Sequence, residues 1–201
     1  MTVGWMTAVI CFAFAMAATP GPNNTIVASS GATHGFMASV PYNIGIGIGL
    51  AVIMFAVAAF GVSIISHPTV ALVLKWVGVT YLLWLAFKIA TSKPALASDA
   101  APTAPLTFIQ GVLFQFVNPK IWIMVSGAVV TYGAAAKGLG PIGLGILFAA
   151  LFGVITVACT LGWTGLGAAL RRILSTPFKV RIFNSGMATL LLASLVPVVF
   201  E

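Results

Sequence analysis

Six apolar stretches follow one another along this chain, with approximate limits Trp5 to Ala28, Val40 to Ile65, Val70 to Ala90, Leu106 to Tyr132, Pro141 to Gly167 and Phe183 to Phe200. Each is close to or above the ~20 residues a helix needs to cross the hydrocarbon of a bilayer. Stretches of that kind constrain the fold strongly, because in lipid each backbone polar group must find its partner inside the protein. The expected class is all-α: a polytopic membrane protein with six transmembrane helices. Composition agrees, since 5% of the residues are charged against about a quarter in soluble domains. With 201 residues in all, little polar sequence is left for a soluble domain, and residues 1–201 read as one transmembrane domain.

The segments between the stretches are short and rich in helix breakers: "SSGATHGF", "SHPT", "TSKPALASDAAPTAP", "GAAAKGLG" and "RRILSTPFKVR". Cations fall unevenly among them. Lys88, Lys93, Arg171, Arg172, Lys179 and Arg181 flank the connections after the third and fifth stretches, while Lys75 and Lys137 alone lie near the other side. The positive-inside rule makes the first side cytoplasmic and puts both termini outside. A net charge of +7 spread this way reads as a topology signal and argues against a nucleic-acid partner, which would need clustered cations on a solvated face. Cys11 and Cys159 lie in apolar runs and are expected to be buried small residues, with no disulfide framework and no metal site. His34 and His67 are too far apart in the chain to suggest a metal site. "AMA" at Ala15 to Ala17 resembles a signal-peptide cleavage site, but no Lys or Arg precedes it and the apolar pattern resumes afterwards. The first stretch is therefore expected to be a retained span.

Dividing the chain at the central linker, residues 93–105, exposes a weak internal repeat between about 1–92 and 106–201. Each half holds a Pro-interrupted stretch (Pro20 and Pro22; Pro119), then a glycine-patterned one ("GIGIGL", Gly45 to Leu50; "GPIGLGIL", Gly140 to Leu147), then a third ("GVTYLLWLAF", Gly78 to Phe87; "GMATLLLASL", Gly186 to Leu195). Three spans per half is an odd number, so the halves are expected to be inverted repeats, a plan in which paired interruptions meet near the midplane and form a substrate site.

"TPGPNN", Thr19 to Asn24, and "FVNPKIW", Phe116 to Trp122, are those interruptions. Proline removes a backbone donor and frees a carbonyl one turn earlier, and a freed group in hydrocarbon must face protein or a wet cavity. The break is therefore expected to open toward an interior cavity, where the resumed helix offers a positive end suited to a carboxylate. Asn23, Asn24 and Asn118 add donors and acceptors. Lys120 is a lysine at mid-bilayer, which is functional by default because insertion there costs about 2.5–3.5 kcal/mol. The glycines Gly45, Gly47, Gly49, Gly143 and Gly145 read as close helix contacts, and Tyr81, Trp84 and Trp122 as packing or interface anchors. No GxxxxGK[ST] loop and no nucleophile, base and orienter set is present, which disfavours an ATP-driven pump and an enzyme; no cofactor is implied.

"TPGPNN", "ATHGF" (Ala32 to Phe36), "GVTYLLWLAFKIATS" (Gly78 to Ser92) and "FQFVNPKI" (Phe114 to Ile121), in this order over nearly the whole chain, resemble the LysE/RhtB family of bacterial amino-acid exporters. Within it the likeness is greatest to the cysteine and O-acetylserine exporter branch. The resemblance implies a six-helix inner-membrane protein that moves small amino acids or their derivatives out of the cytoplasm, with protons as the coupling ion. It places the first-helix motif on Pro20, Gly21, Pro22 and Asn23 and the fourth-helix motif on Asn118, Pro119 and Lys120. Many members carry aspartate directly after the Pro-Gly-Pro, where this chain has Asn23; Asp99 and Glu201, its only acidic residues, lie in a loop and at the terminus, which argues against a simple carboxylate proton relay. A passive amino-acid channel and a non-transporting membrane scaffold or sensor are the alternatives. Which amino acid is carried, and whether the protein is a homo-oligomer, stay open at this level.

Overall fold

The computed structural model describes residues 2–60, 76, 79–80, 83–84, 86–87, 89–91, 104–133, 136, 138–173 and 176–193. Its elements are all helices: α1 (Val3–Ala18), α2 (Pro22–His34), α3 (Phe36–Phe60), α4 (Phe108–Val117), α5 (Pro119–Ala128, continued by a π-turn, Val129–Gly133), α6 (Pro141–Ile173) and α7 (Pro177–Ala193). Helix starts follow from local chemistry. Thr2 caps α1 by accepting from the Trp5 amide at 3.2 Å, and Thr107 and Gln110 form a reciprocal capping box at α4.

Among the described residues, Phe36–Phe60 and Pro141–Leu170 are each long and apolar enough to cross a membrane unaided, with mean hydropathies of 2.2 and 2.5. Two further spans arise if each bent pair counts as one: α1 with α2, bent by 55°, and α4 with α5, bent by 69°. The third apolar stretch lies mostly outside the described residues. Its described helical positions bring Val79, Ala86 and Ile89 into an apolar cluster with Val27, Tyr42, Ile46 and Phe114. A second cluster joins α1, α3, α5 and α6 through Val9, Ala13, Leu50, Met54, Val125, Phe148 and Phe152.

The middle of the molecule is polar and tightly crossed. Every residue of α2 from Pro22 to Gly31 is buried, and the helix packs on α3, α6 and α7. A side chain at Gly31 would fall on the Thr164 backbone, and one at Gly167 on the Ala28 backbone, so α2 and α6 meet main chain to main chain. Gly45 and Gly111 bring α3 and α4 equally close, and Gly47 faces Val157 and Gly153 of α6. Close approach of this kind is how helices gain packing energy in lipid, where apolar side chains have no solvent-driven reason to associate. Polar bonds fasten the same crossings: the Asn43 amide donates to the Thr164 hydroxyl at 3.0 Å, and the Ser30 and Ser39 hydroxyls are 2.8 Å apart.

Several sequence expectations change. "SSGATHGF" is not a connection: α2 continues through Ser29 to His34, and only Gly35, at a φ of 90°, breaks the path before α3. The segment's polar start is tolerated because Ser29, Ser30 and Gly31 are buried against protein, whereas Ala32 to His34 are half-buried. "RRILSTPFKVR" is likewise mostly helix, α6 ending at Ile173 and α7 starting at Pro177. Cys11 is exposed on the outer face of α1 and Cys159 half-buried, so neither is a core residue; both are free thiols. A side chain at Gly143 would meet only Leu139, just before its own helix, whereas an added Cβ at Gly145 would stand 3.0 Å from Phe55 and Ala59 of α3, a close helix contact as expected. Lys75, Lys88, Lys93, Lys137, Asp99, Glu201, His67, Tyr81 and residues 93–103 of the linker lie outside the described residues, as do the side chains of Arg171 and Arg172.

Candidate functional site

The first break spans Thr19, Pro20 and Gly21. Thr19 turns to extended geometry at the end of α1, and Pro22 restarts the chain as the first residue of α2, where its missing N–H is no loss. Each carbonyl from Ala15 to Thr19 has a donor. The Thr19 amide reaches Ala15 at 3.2 Å and the Thr19 hydroxyl reaches Met16 at 3.1 Å. The Asn24 amide donates to Ala17 at 2.7 Å and to Thr19 at 2.8 Å. The Trp163 indole serves Ala18 at 3.1 Å. The Lys120 ammonium donates to the Thr19 carbonyl at 2.8 Å and to its hydroxyl at 2.9 Å. Breaking a helix in lipid demands such a full set of partners, and three of these donors come from beyond the break itself.

The second break is shorter. Asn118 alone separates α4 from α5, and Pro119 takes the first position of α5 just as Pro22 does in α2. The Asn118 side chain caps its own helix by accepting from the Lys120 amide at 3.2 Å, and the Trp122 indole donates to the Phe116 carbonyl at 2.8 Å. Asn118 is fully buried, and its Nδ2 finds no hydrogen-bond partner among the described residues. The α2 N-terminus, by contrast, has no side-chain cap at Gly21.

The two breaks meet. Asn23 Nδ2 donates to Gln115 Oε1 at 2.9 Å, Gln115 Nε2 returns a bond to Asn23 Oδ1 at 3.3 Å, and Gln115 also donates to the Gly111 carbonyl at 2.9 Å. The Lys120 stem lies over Gly21, where an added Cβ would stand 2.9 Å from Lys120 Cδ. Between the breaks is a cavity of ≈ 20 Å³ lined by Gly21, Asn23, Asn24, Lys120, Thr156 and Thr160 among others. That is room for about one water, far below the about 300–1,000 Å³ of an ordinary ligand pocket. Thr156 Oγ1 is buried on this lining with no partner among the described residues.

Of the residues expected in the site, Gly21, Asn23, Asn24 and Lys120 share this cavity. Pro22, Pro119 and Asn118 shape the two breaks from behind it. Pro20 differs from expectation, being exposed with Thr19 on the outer side of the break; the Lys120 ammonium covers that side by hydrogen-bonding to Thr19. Gln115, Thr156, Thr160 and Thr19 were not singled out by sequence. Gln115, which the structure buries fully, carried the clearest sequence signal, an amide between Phe114 and Phe116 in a greasy run.

Comparison with known proteins gives the family. Residues 14–196 match the LysE type translocator family. A cysteine/O-acetylserine efflux protein of Escherichia coli O157:H7 is 35% identical over 133 residues, 66% of this chain and 67% of the relative. Its counterpart in Salmonella choleraesuis (strain SC-B67) is 39% identical over 134 residues, with the same coverage of both chains. No solved structure matches. With most of its length matched, and with apolar helices built around paired breaks, the chain belongs to the LysE type translocator family: a multi-pass inner-membrane transporter and not an enzyme.

Proposed function

We infer that this protein exports small zwitterionic amino acids, of the cysteine and O-acetylserine kind named for its relatives, by alternating access coupled to proton entry. The meeting of the two breaks supports this most directly: a lysine from the second holds the unwound residue of the first at 2.8 Å, beside an uncapped helix N-terminus. A zwitterion needs one cationic and one anionic partner. The uncapped start of α2, with the amides of Asn23 and Asn24 and the charge of Lys120, suits the carboxylate; the carbonyls of the break suit the ammonium. Pro20, Gly21, Pro22, Asn118 and Pro119 keep both helices interrupted, so that these groups face one another. The cavity holds no amino acid at ≈ 20 Å³, which fits an occluded state that opens to either side in turn.

The plan of six helices in two inverted halves, with both termini periplasmic, belongs to the same proposal. It is supported by the matching order of a broken span followed by a long glycine-bearing helix in each half. Inverted membrane vesicles test the function. Uptake of L-cysteine against its gradient, dependent on an imposed proton gradient and absent from vesicles lacking the protein, is expected. Equilibration that never exceeds the outside concentration would make the protein a passive channel.

A further inference from the structure

Lys120 does more at the first break than sit near it. Its ammonium makes two short bonds to one residue, the carbonyl and the hydroxyl of Thr19, and its stem crosses Gly21 so closely that no Cβ fits there without moving it. The hydroxyl of Thr156 is buried on the cavity that Lys120 and Gly21 also line, and is unpartnered among the described residues. Carbonyl and hydroxyl oxygens converging on a primary ammonium are also what the α-ammonium of an amino acid needs, since both groups carry three N–H donors and a single charge.

We propose that the carbonyl and hydroxyl of Thr19 form the ammonium subsite of the transporter, and that Lys120 occupies it as a tethered stand-in whenever substrate is absent. The inference rests on the exporter reading above and adds how the site discriminates. An arriving zwitterion replaces one ammonium by another at Thr19, so no carbonyl of the break is left bare in lipid. The displaced Lys120 then has a carboxylate to meet at the start of α2, and the charge on the site stays balanced. An amine without a carboxylate displaces Lys120 and gives it nothing in return, leaving two like charges side by side at the break. The stand-in thus rejects simple amines while admitting amino acids, a specificity obtained by penalising the wrong ligand. It also explains why a break with exposed Thr19 and Pro20 keeps a full set of hydrogen bonds when empty.

Calorimetric titration of the purified full-length protein with L-cysteine, cysteamine and N-acetyl-L-cysteine, under reducing conditions, tests this. The wild type is expected to bind L-cysteine and to discriminate against the other two. Lys120→Met vacates the subsite and removes the carboxylate partner, so cysteamine affinity should rise about tenfold, the scale of one charge-assisted hydrogen bond, while L-cysteine affinity falls. Gly21→Ala pushes the lysine aside without removing its charge. It should raise cysteamine affinity in the same direction with a smaller loss for L-cysteine, and it carries the test if Lys120→Met does not fold. Unchanged cysteamine affinity in both variants, with L-cysteine still bound by the wild type, overturns the stand-in and leaves the exporter reading intact. A wild type that binds N-acetyl-L-cysteine as well as L-cysteine overturns the ammonium subsite itself. Failure of the vesicle experiment removes both.

Discussion

The two helix breaks are built from one recipe and completed in opposite ways. Both put a proline at the first position of the resumed helix, and both bend the path sharply, by 55° and 69°. The second closes on itself: Asn118 caps α5 and Trp122 serves a carbonyl of α4, all within a few residues of chain. The first depends on groups from afar, with Lys120 and Trp163 arriving from α5 and α6 and no side chain capping α2. A break satisfied locally holds its shape whatever its neighbours do. One satisfied by distant side chains is remade whenever those side chains move, which makes the first break the adjustable one and the second its anchor.

Resealing the adjustable break should have the largest effect. Replacing Pro20 and Pro22 together by Ala restores the missing donor and allows one continuous helix; efflux in vesicles should disappear while membrane insertion, judged by the amount of folded protein extracted, remains. Normal transport by this double variant would reduce the prolines to a simple kink. An intermediate effect is expected from the clasp that joins the breaks. Gln115→Leu strands the Asn23 amide in a buried place and should lower stability in detergent by about 1–2 kcal/mol. Adding Asn23→Leu should recover part of that loss, because removing both partners leaves nothing unpaired. Additive losses would mean that the two amides do not depend on each other. The smallest effect belongs to the anchor. Asn118→Ser keeps a good helix cap and discards the buried Nδ2 group that has no partner among the described residues; the thermal midpoint should correspond to a change within about 1 kcal/mol. A much larger loss would show that this amide is held by something in the second break after all.

Apolar length and proline position were enough to locate α1, α3, α4, α5 and α6 and to mark both breaks, because lipid-facing helices and missing backbone donors each leave a local signature. The extent of α2 was not legible. Hydropathy detects segments that face lipid, and this one, buried from Pro22 to Gly31 with Ser29 and Ser30 among them, has little need of an apolar surface. Gln115 escaped notice for a related reason: its partner Asn23 is 92 positions away, and a single amide in a greasy run acquires meaning only when its partner is known. Lys120 was recognised as a buried cation, but its bond to Thr19 depends on how two separate bends are oriented, which residue order alone does not encode.

The glycine crossings bear on how such a molecule can change shape. Where α2 meets α6 and where α3 meets α4, main chain touches main chain at Gly31, Gly167, Gly45 and Gly111. No cushion of side chains lies between the helices to repack as they slide, so these four helices form a chassis that turns as one piece. The outer arms of the broken spans are joined differently. On α1, Gly4 has open space around it, and where α1 meets α5 a Cβ added at Gly127 would touch only the Phe12 ring, at an ordinary 3.4 Å. Side chains of that sort can exchange rotamers and neighbours at little expense. The arm α1 is therefore the part expected to move, from the proline pivot of the adjustable break, relative to the chassis and the anchored second break.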